Sequence, residues 1–354
     1  MSIKADEIVF LIGAGCSCDA DILTANDMIK KIEDDLIVNE EDWKELKQLY
    51  YYIKSAILYA DGIFGNFSTS LNIEKFINIL SELEKKEYNI VYPFISSWNV
   101  KLLEVAGKEF ENLKKLKLLI KKELINWVKI SNYQEKASYY KKFYEFQKKL
   151  IFPLRIFSLN YDMCFEKLKP NDYILELGFD EQSKIWNSRR FENNPNLGVG
   201  IYLYQLHGSI NWQREKEGDI LKLSEDSVKN PDLIFGTSDK LQSIDPYLFY
   251  VYEFRKYLLD SKLLLTIGYS FSDIYLNNLI HQAIERNRNM KIVCVVGQIP
   301  DLKKRKEEIY SDLKLKESEG RIKIIDKKAK KFLEENLTIE GISNFIPEEK
   351  GIFD

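Results

Sequence analysis

A chain of 354 residues, 45% hydrophobic and 30% charged, has the composition of an ordinary globular protein and enough length for a large core. Its 52 basic and 55 acidic residues leave a net charge of −3, which argues against binding nucleic acid through bulk positive charge. No apolar stretch is long enough to cross a bilayer, the opening MSIKADE lacks a secretion-signal pattern, and four cysteines form no disulfide framework, so a reducing cytoplasm is the expected setting.

Residues 7–12 (EIVFLI) form a short apolar run ended by glycine, the pattern of a buried parallel strand. From about 25 to 150 the periodicity becomes helical. The segment 71–86 predicts a helix with Asn72 as N-cap and Ile73, Phe76, Ile77 and Leu80 on one face. A second helix is predicted over 101–129, with Leu113, Leu116, Ile120, Leu124 and Trp127 at helical spacing. Its KKLKLLIKK stretch alternates lysines with these core positions and reads as a solvated face. Strand signals return at 155–159, 202–206, 262–267, 291–296 and 321–325, most of them separated by helical stretches. The alternation predicts an α/β fold, a Rossmann-like and mostly parallel sheet with a large helical insertion at about 25–150. Residues 301–321 mix charges of both signs, as a solvent-exposed helix does. The expected organisation is one domain over 1–339 and a tail over 340–354 that wraps or frays.

In such a sheet, ligands bind beyond the carboxyl ends of the strands, so the residues that follow each strand carry the information. After the first come Gly13, Ala14, Gly15, Cys16 and Ser17. Glycines let backbone amides approach a pyrophosphate, and a following helix would add its dipole. The third glycine of the dinucleotide fingerprint is missing, and Asp34 and Asp35, near the distance of a ribose-reading acid, lie in a helical stretch. The turn alone fits a phosphate cradle or a plain tight turn. Cys16 and Cys18 have no second pair and the chain has only two histidines, so no zinc site is expected. After the second strand comes Ser158-Leu159-Asn160-Tyr161-Asp162, where Asn160 and Asp162 alone would read as helix caps. After the third comes Leu206-His207-Gly208-Ser209, a strand-end histidine expected to be exposed and mobile enough to move a proton. After the fourth comes Gly268-Tyr269-Ser270-Phe271-Ser272-Asp273, which could meet phosphate or could cap a helix with Ser270 as N-cap and Asp273 as its N3 acid.

Taken in order, GAGxS, SLNYD, LHGS and GYSxxD resemble the NAD-binding core of the sirtuin-like family, and most of all its bacterial branch found in antiphage defence. The Asn72-Ile73-Glu74 stretch and Leu177-Gly178-Phe179 fit the same pattern, so the resemblance covers about residues 7–335. It implies that Gly13, Ala14, Gly15 and Ser17 form a phosphate and ribose loop. Asn160 would position the nicotinamide ribose and the attacking water, and Asp162 would accept a hydrogen bond from the nicotinamide carboxamide. His207 would stand beside the ribose hydroxyls. Gly268, Ser270 and Asp273 would contribute to cofactor binding.

Two departures from the deacylases of that family bear on the activity. Their Gly-Ile-Pro-Asp-Phe-Arg-Gly stretch after the first loop reads Asp21-Ile22-Leu23-Thr24-Ala25-Asn26-Asp27 here. Their four-cysteine zinc module after the histidine has no counterpart, because 208–273 contains no cysteine. The resemblance therefore implies NAD+ hydrolysis to nicotinamide and ADP-ribose, without a metal, over protein deacylation or ADP-ribosyl transfer. A non-catalytic NAD sensor is the remaining alternative. It also implies assembly, as a homo-oligomer or with a HerA-type ATPase or an Argonaute-like partner, since an enzyme that destroys NAD+ must be held off until triggered.

Overall fold

Apolar, aromatic and β-branched residues dominate the central strands, and the polar Arg155, Ser158 and Gln205 among them are buried too. Every residue of β1 (Ile8–Ile12), β2 (Leu154–Ser158), β4 (Ile201–Gln205) and β7 (Leu263–Ile267) is buried, as in a sheet covered on both faces. β3 (Leu175–Glu176), β8 (Lys291–Val295) and β9 (Ile322–Ile325) complete a seven-stranded sheet in the order β3-β4-β2-β1-β7-β8-β9. All its pairings are parallel, so the expected α/β, mostly parallel architecture is the one observed. A separate antiparallel hairpin joins β5 (Trp212–Glu215) to β6 (Ile220–Leu223).

The computed structural model describes residues 3–65, 71–86, 100–192, 198–215, 219–234 and 244–347. The chain forms two compact units. One comprises Met1–Ile22, Lys129–Leu233 and Gln242–Asp354 and holds the sheet; the other comprises Leu23–Val128 and Ile234–Leu241, and its described elements are helices. Helices continue to Gln147, near the expected residue 150, but those of the compact helical unit stop at Val128. Residues from Lys129 onward belong with the sheet, where Phe143 packs edge-on against Phe10 of β1 and Tyr140 against Phe165.

Within the helical unit, Asn72 Oδ1 caps the helix Ile73–Lys86 by accepting from Lys75 N, and Ile73, Phe76, Ile77 and Leu80 are buried. The helix expected over 101–129 is broken. Gly107, at φ +75°, separates Val100–Ala106 from Glu111–Val128, because a left-handed residue cannot continue a right-handed helix. Near the C-terminus, Ile339–Ser343 adds a helical turn capped by Thr338, so this part of the tail is ordered rather than frayed; residues 348–354 lie outside the described residues. No described helix is long and apolar enough to cross a membrane.

The topology fixes where a site can form. The chain builds β2, β4 and β3 on one side of β1, then β7, β8 and β9 on the other, so the order reverses between β1 and β7. The crevice outside such a reversal is where open α/β sheets bind ligands. The strand ends are level: Ile12 pairs with Ser158 and Ile267, and Ser158 with Gln205. Four loops thus leave the same edge of the sheet at one height.

At the reversal, two turns lie against each other. Gly13 N donates to Ile267 O and Gly15 N to Gly268 O, each at 3.0 Å. A Cβ on Gly13 would sit 2.6 Å from Gly268 O, and one on Gly268 would strike the backbone of Gly15 and Cys16. Gly268 is also left-handed at φ +66°. Gly268→Ala should therefore cost roughly 3 kcal/mol or more, from left-handed strain plus backbone collision. Gly297→Ala, at φ +77° with open space around it, should cost only the strain, about 1–2 kcal/mol. Equal losses for the two variants in urea unfolding would contradict this account of the crossing.

Candidate functional site

The loop after β1 and the loop after β2 meet at one hydroxyl. Ser17 is fully buried, and its Oγ donates to Asp162 Oδ2 at 2.7 Å. A hydroxyl has a single proton, so the other two contacts must donate to it: Tyr140 OH at 2.7 Å and Asn160 Nδ2 at 2.9 Å. Burial holds the Tyr140 phenol well above its ordinary range, which keeps it a proton donor. The neighbouring Tyr139 OH donates to Cys16 O at 2.8 Å. Asp162 uses its second oxygen to accept from Cys164 N at 3.0 Å, and the helix Cys164–Leu168 follows. Asn160 is fixed through its nitrogen, while its Oδ1 is buried without a protein partner among the described residues. Carboxamide oxygens are rarely left so. This one is suited to receive a donor from a ligand.

The loop after β4 joins the loop after β2 through Tyr161. Its carbonyl accepts from Ile210 N at 3.1 Å and Ser209 Oγ at 3.3 Å, and its ring lies 6.2 Å from the His207 ring. Gly208 is at φ +81°, and a Cβ there would collide with Asp232 O, which explains the glycine of LHGS. His207 itself is only 6% exposed, so the exposed, mobile histidine of the sequence reading is corrected. Its Nε2 stands 3.5 Å from Asp273 Oδ2, also buried. Asp273, not Ser270, is the N-cap of the helix Ile274–Arg286, accepting from Tyr275 N and Leu276 N. Ser270 is exposed; its hydroxyl bonds Ser272 Oγ at 2.8 Å and its carbonyl accepts from Arg305.

The structure thus brings Ser17, Asn160 and Asp162 into one bonded cluster and pairs His207 with Asp273, while Ser270 belongs to neither. Gly13, Gly15, Cys16 and Ser17 all donate their amides to protein carbonyls, and Ala14 is the exposed residue of the turn. The helix expected directly after the turn is instead two short 3₁₀ turns, Ala14–Cys16 and Cys18–Ala20, which carry little dipole. Cys16 is buried with its thiol pushed far up by desolvation, as expected of a space-filling residue; Cys18 is exposed. Among the described residues no group of three or more His, Cys, Asp or Glu could hold a metal ion. A groove lined by Trp186, Arg214, Leu221 and Leu248 contains none of the cluster residues.

Sequence reading missed Tyr139 and Tyr140, whose only signal was an aromatic run in SYYKKFYEF, and it missed Glu166. The Glu166 carboxyl has a buried, unpartnered Oε2 among the described residues, and its Oε1 accepts a long 3.4 Å bond from Gln205 Nε2. Desolvation, with the Asp162 charge nearby, pushes it up to about 8.

Comparison with known proteins bears on this geometry. Residues 154–317 match the model of the SIR2-like domain. The matched stretch includes Asn160, Asp162, His207, Gly268, Ser270 and Asp273, whereas the Gly13–Ser17 turn precedes it. No curated protein matches the chain. Among solved structures it is similar to a Sir2 homologue in complex with NAD, at 12% identity over 96% of this chain and 90% of that one, with a TM-score of 0.44. A mutant Sir2 homologue with 2′-O-acetyl ADP-ribose matches at 11% identity over 97% and 94%, TM-score 0.43. Sir2Tm bound to a propionylated peptide matches at 11% over 96% and 93%, TM-score 0.37.

Glu166 generates a pH prediction. Its folded carboxyl keeps its proton up to about pH 8, whereas in the unfolded chain it ionises near the ordinary glutamate value. The folded state therefore binds more protons across that window, and this group's contribution to stability is full at low pH and lost as pH rises. Glu166→Gln should flatten the decline in unfolding free energy between about pH 5 and 8. An unchanged pH slope in the variant would refute the assignment.

Proposed function

We propose that this protein hydrolyses NAD+ to nicotinamide and ADP-ribose and acts as an effector of antiphage defence. The observation that carries the chemistry is the Asn160 carboxamide. It is held from behind by Ser17, beside Asp162 and next to the His207 loop, with a buried oxygen awaiting a donor. Cleavage of the nicotinamide–ribose bond sends its electron pair to the pyridinium nitrogen and leaves oxocarbenium-like charge on the ribose. Water then attacks the anomeric carbon and gives up a proton. In this reading Asn160 orients the ribose and the water, Asp162 accepts from the nicotinamide amide, and His207 takes the proton.

Hydrolysis is favoured over deacylation because 208–273 lacks the cysteines of a zinc module that would help to form an acyl-lysine groove. Defence and restraint by a HerA-type or Argonaute-like partner rest on the resemblance of the motifs. Self-assembly through the helices of 25–150 rests on the 13% aromatic content and the large helical insertion, more apolar surface than one sheet needs to cover. Light scattering that finds only monomers at full activity would remove the self-assembly part.

Asn160→Ala and His207→Ala should each fold and bind NAD+ in a thermal-shift titration. Each should lose roughly 10²-fold or more in nicotinamide release, about 2.7 kcal/mol of transition-state stabilisation. The assay includes the activating partner where the wild type is silent alone. Wild-type rates in both variants would show that the chemistry lies elsewhere.

A further inference from the structure

Asp273 has two carboxylate oxygens with different tasks. Oδ1 accepts from both Tyr275 N and Leu276 N, at 3.1 and 3.2 Å, as the cap of the helix Ile274–Arg286. Oδ2 faces His207 Nε2 at 3.5 Å. Both side chains are buried, at 4% and 6% exposure, so little water screens the pair. The backbone around Asp273 is held firmly: Tyr269 OH donates to Asn277 Oδ1 at 2.8 Å, Asn277 Nδ2 to Phe271 O at 2.6 Å, and Arg305 to Ser270 O at 2.7 Å. Rotating the carboxylate away from the imidazole would cost the cap. The cap therefore fixes which oxygen the histidine sees.

We propose that Asp273 is a positioning residue for His207: its Oδ2 accepts the Nε2 proton, fixes the imidazole tautomer and leaves Nδ1 as the nitrogen that takes up a proton. The ring nitrogens of histidine are set in this way by the bond that one of them makes. Contacts of this kind between catalytic groups are often long before substrate packs around them and shorten with it. The role differs from cofactor contact, which the sequence motif suggested for Asp273, and it rests on the proposed NAD+ hydrolysis only for its kinetic arm.

The capping geometry makes the test unusually specific. In Asp273→Asn the two helix amides demand an acceptor, so the carboxamide oxygen must occupy the Oδ1 position. That turns the NH₂ group toward His207 Nε2, donor against donor. The imidazole must then carry its proton on Nδ1, the wrong nitrogen for a base. Asp273→Ser, another good N-cap, keeps the helix start and presents nothing to the ring.

The chain has two histidines, His207 and His281, so ¹⁵N-edited NMR of the imidazoles, assigned with His281→Asn, reads the tautomer without any activity. The wild type should carry the proton on Nε2 and Asp273→Asn on Nδ1, with unchanged melting temperature. In nicotinamide release, Asp273→Asn should lower kcat by roughly 10²–10⁴-fold, as a forced wrong tautomer does, with KM for NAD+ unchanged. Asp273→Ser should lose less than Asp273→Asn. The same tautomer in wild type and Asp273→Asn, a wild-type kcat, or a loss confined to KM would each overturn the proposal. A merely structural cap predicts wild-type kcat for both variants, since both residues cap well. If the wild type releases no nicotinamide under any condition, the hydrolase reading fails while the tautomer measurement still decides the pair.

Discussion

One hydroxyl group organises this site. Ser17 Oγ has one proton and two lone pairs, and all three are engaged by Asp162, Tyr140 and Asn160. Ser17 and its partners come from three parts of the chain that are distant in sequence: the turn after β1, the loop after β2 and the aromatic segment around Tyr140. With the Ser17 hydroxyl fully engaged, the network specifies one arrangement strongly, because any alternative strands several polar atoms in low dielectric. The orientation of the Asn160 carboxamide is thus a property of the core rather than of a loop.

The sheet supplies the frame for that network. Level strand ends at the reversal between β1 and β7 bring four loops to one edge, and glycines let two of the turns touch. The close contact has a chemical consequence. Amides that a dinucleotide-binding turn would offer to a pyrophosphate are used here inside the protein. Those of Gly13 and Gly15 bond to Ile267 and Gly268 at the end of β7, and those of Cys16 and Ser17 to carbonyls within the turn. In the proposed NAD+ hydrolase, a phosphate at this turn would find the amide of Ala14 and would depend otherwise on the neighbouring loops. Stability and ligand recognition compete for the same backbone groups.

Much of the frame was legible in the sequence. The buried strands announced themselves as apolar runs, and their observed ends fall within one residue of the expected ones. Asn160, Asp162 and His207 stood out because each directly follows a strand. What escaped was tertiary. SFSD offers three capping residues in four, and only the left-handed Phe271, at φ +61°, carries the cap to Asp273. His207 reads as exposed until Tyr161 and Asp273 are folded over it. The β5–β6 hairpin escaped because WQRE and ILKL are too short for a clear alternation, although Gly218 and Asp219 between them were a turn signal. Tyr139 and Tyr140 carry no local mark of their role, since their partners lie 123 residues away.

The central claim is that Ser17 acts through Asn160, and a double-mutant cycle tests it. Nicotinamide release would be measured for Ser17→Ala, Asn160→Ala and the pair, with near-UV circular dichroism establishing the folded fraction of each. Groups that act as a unit lose their effect together. The account predicts that each single variant falls to a similar level, roughly 10²-fold below wild type or lower, and that the double variant falls no further. Wild-type rates for Ser17→Ala, or losses that multiply in the double variant, would contradict it.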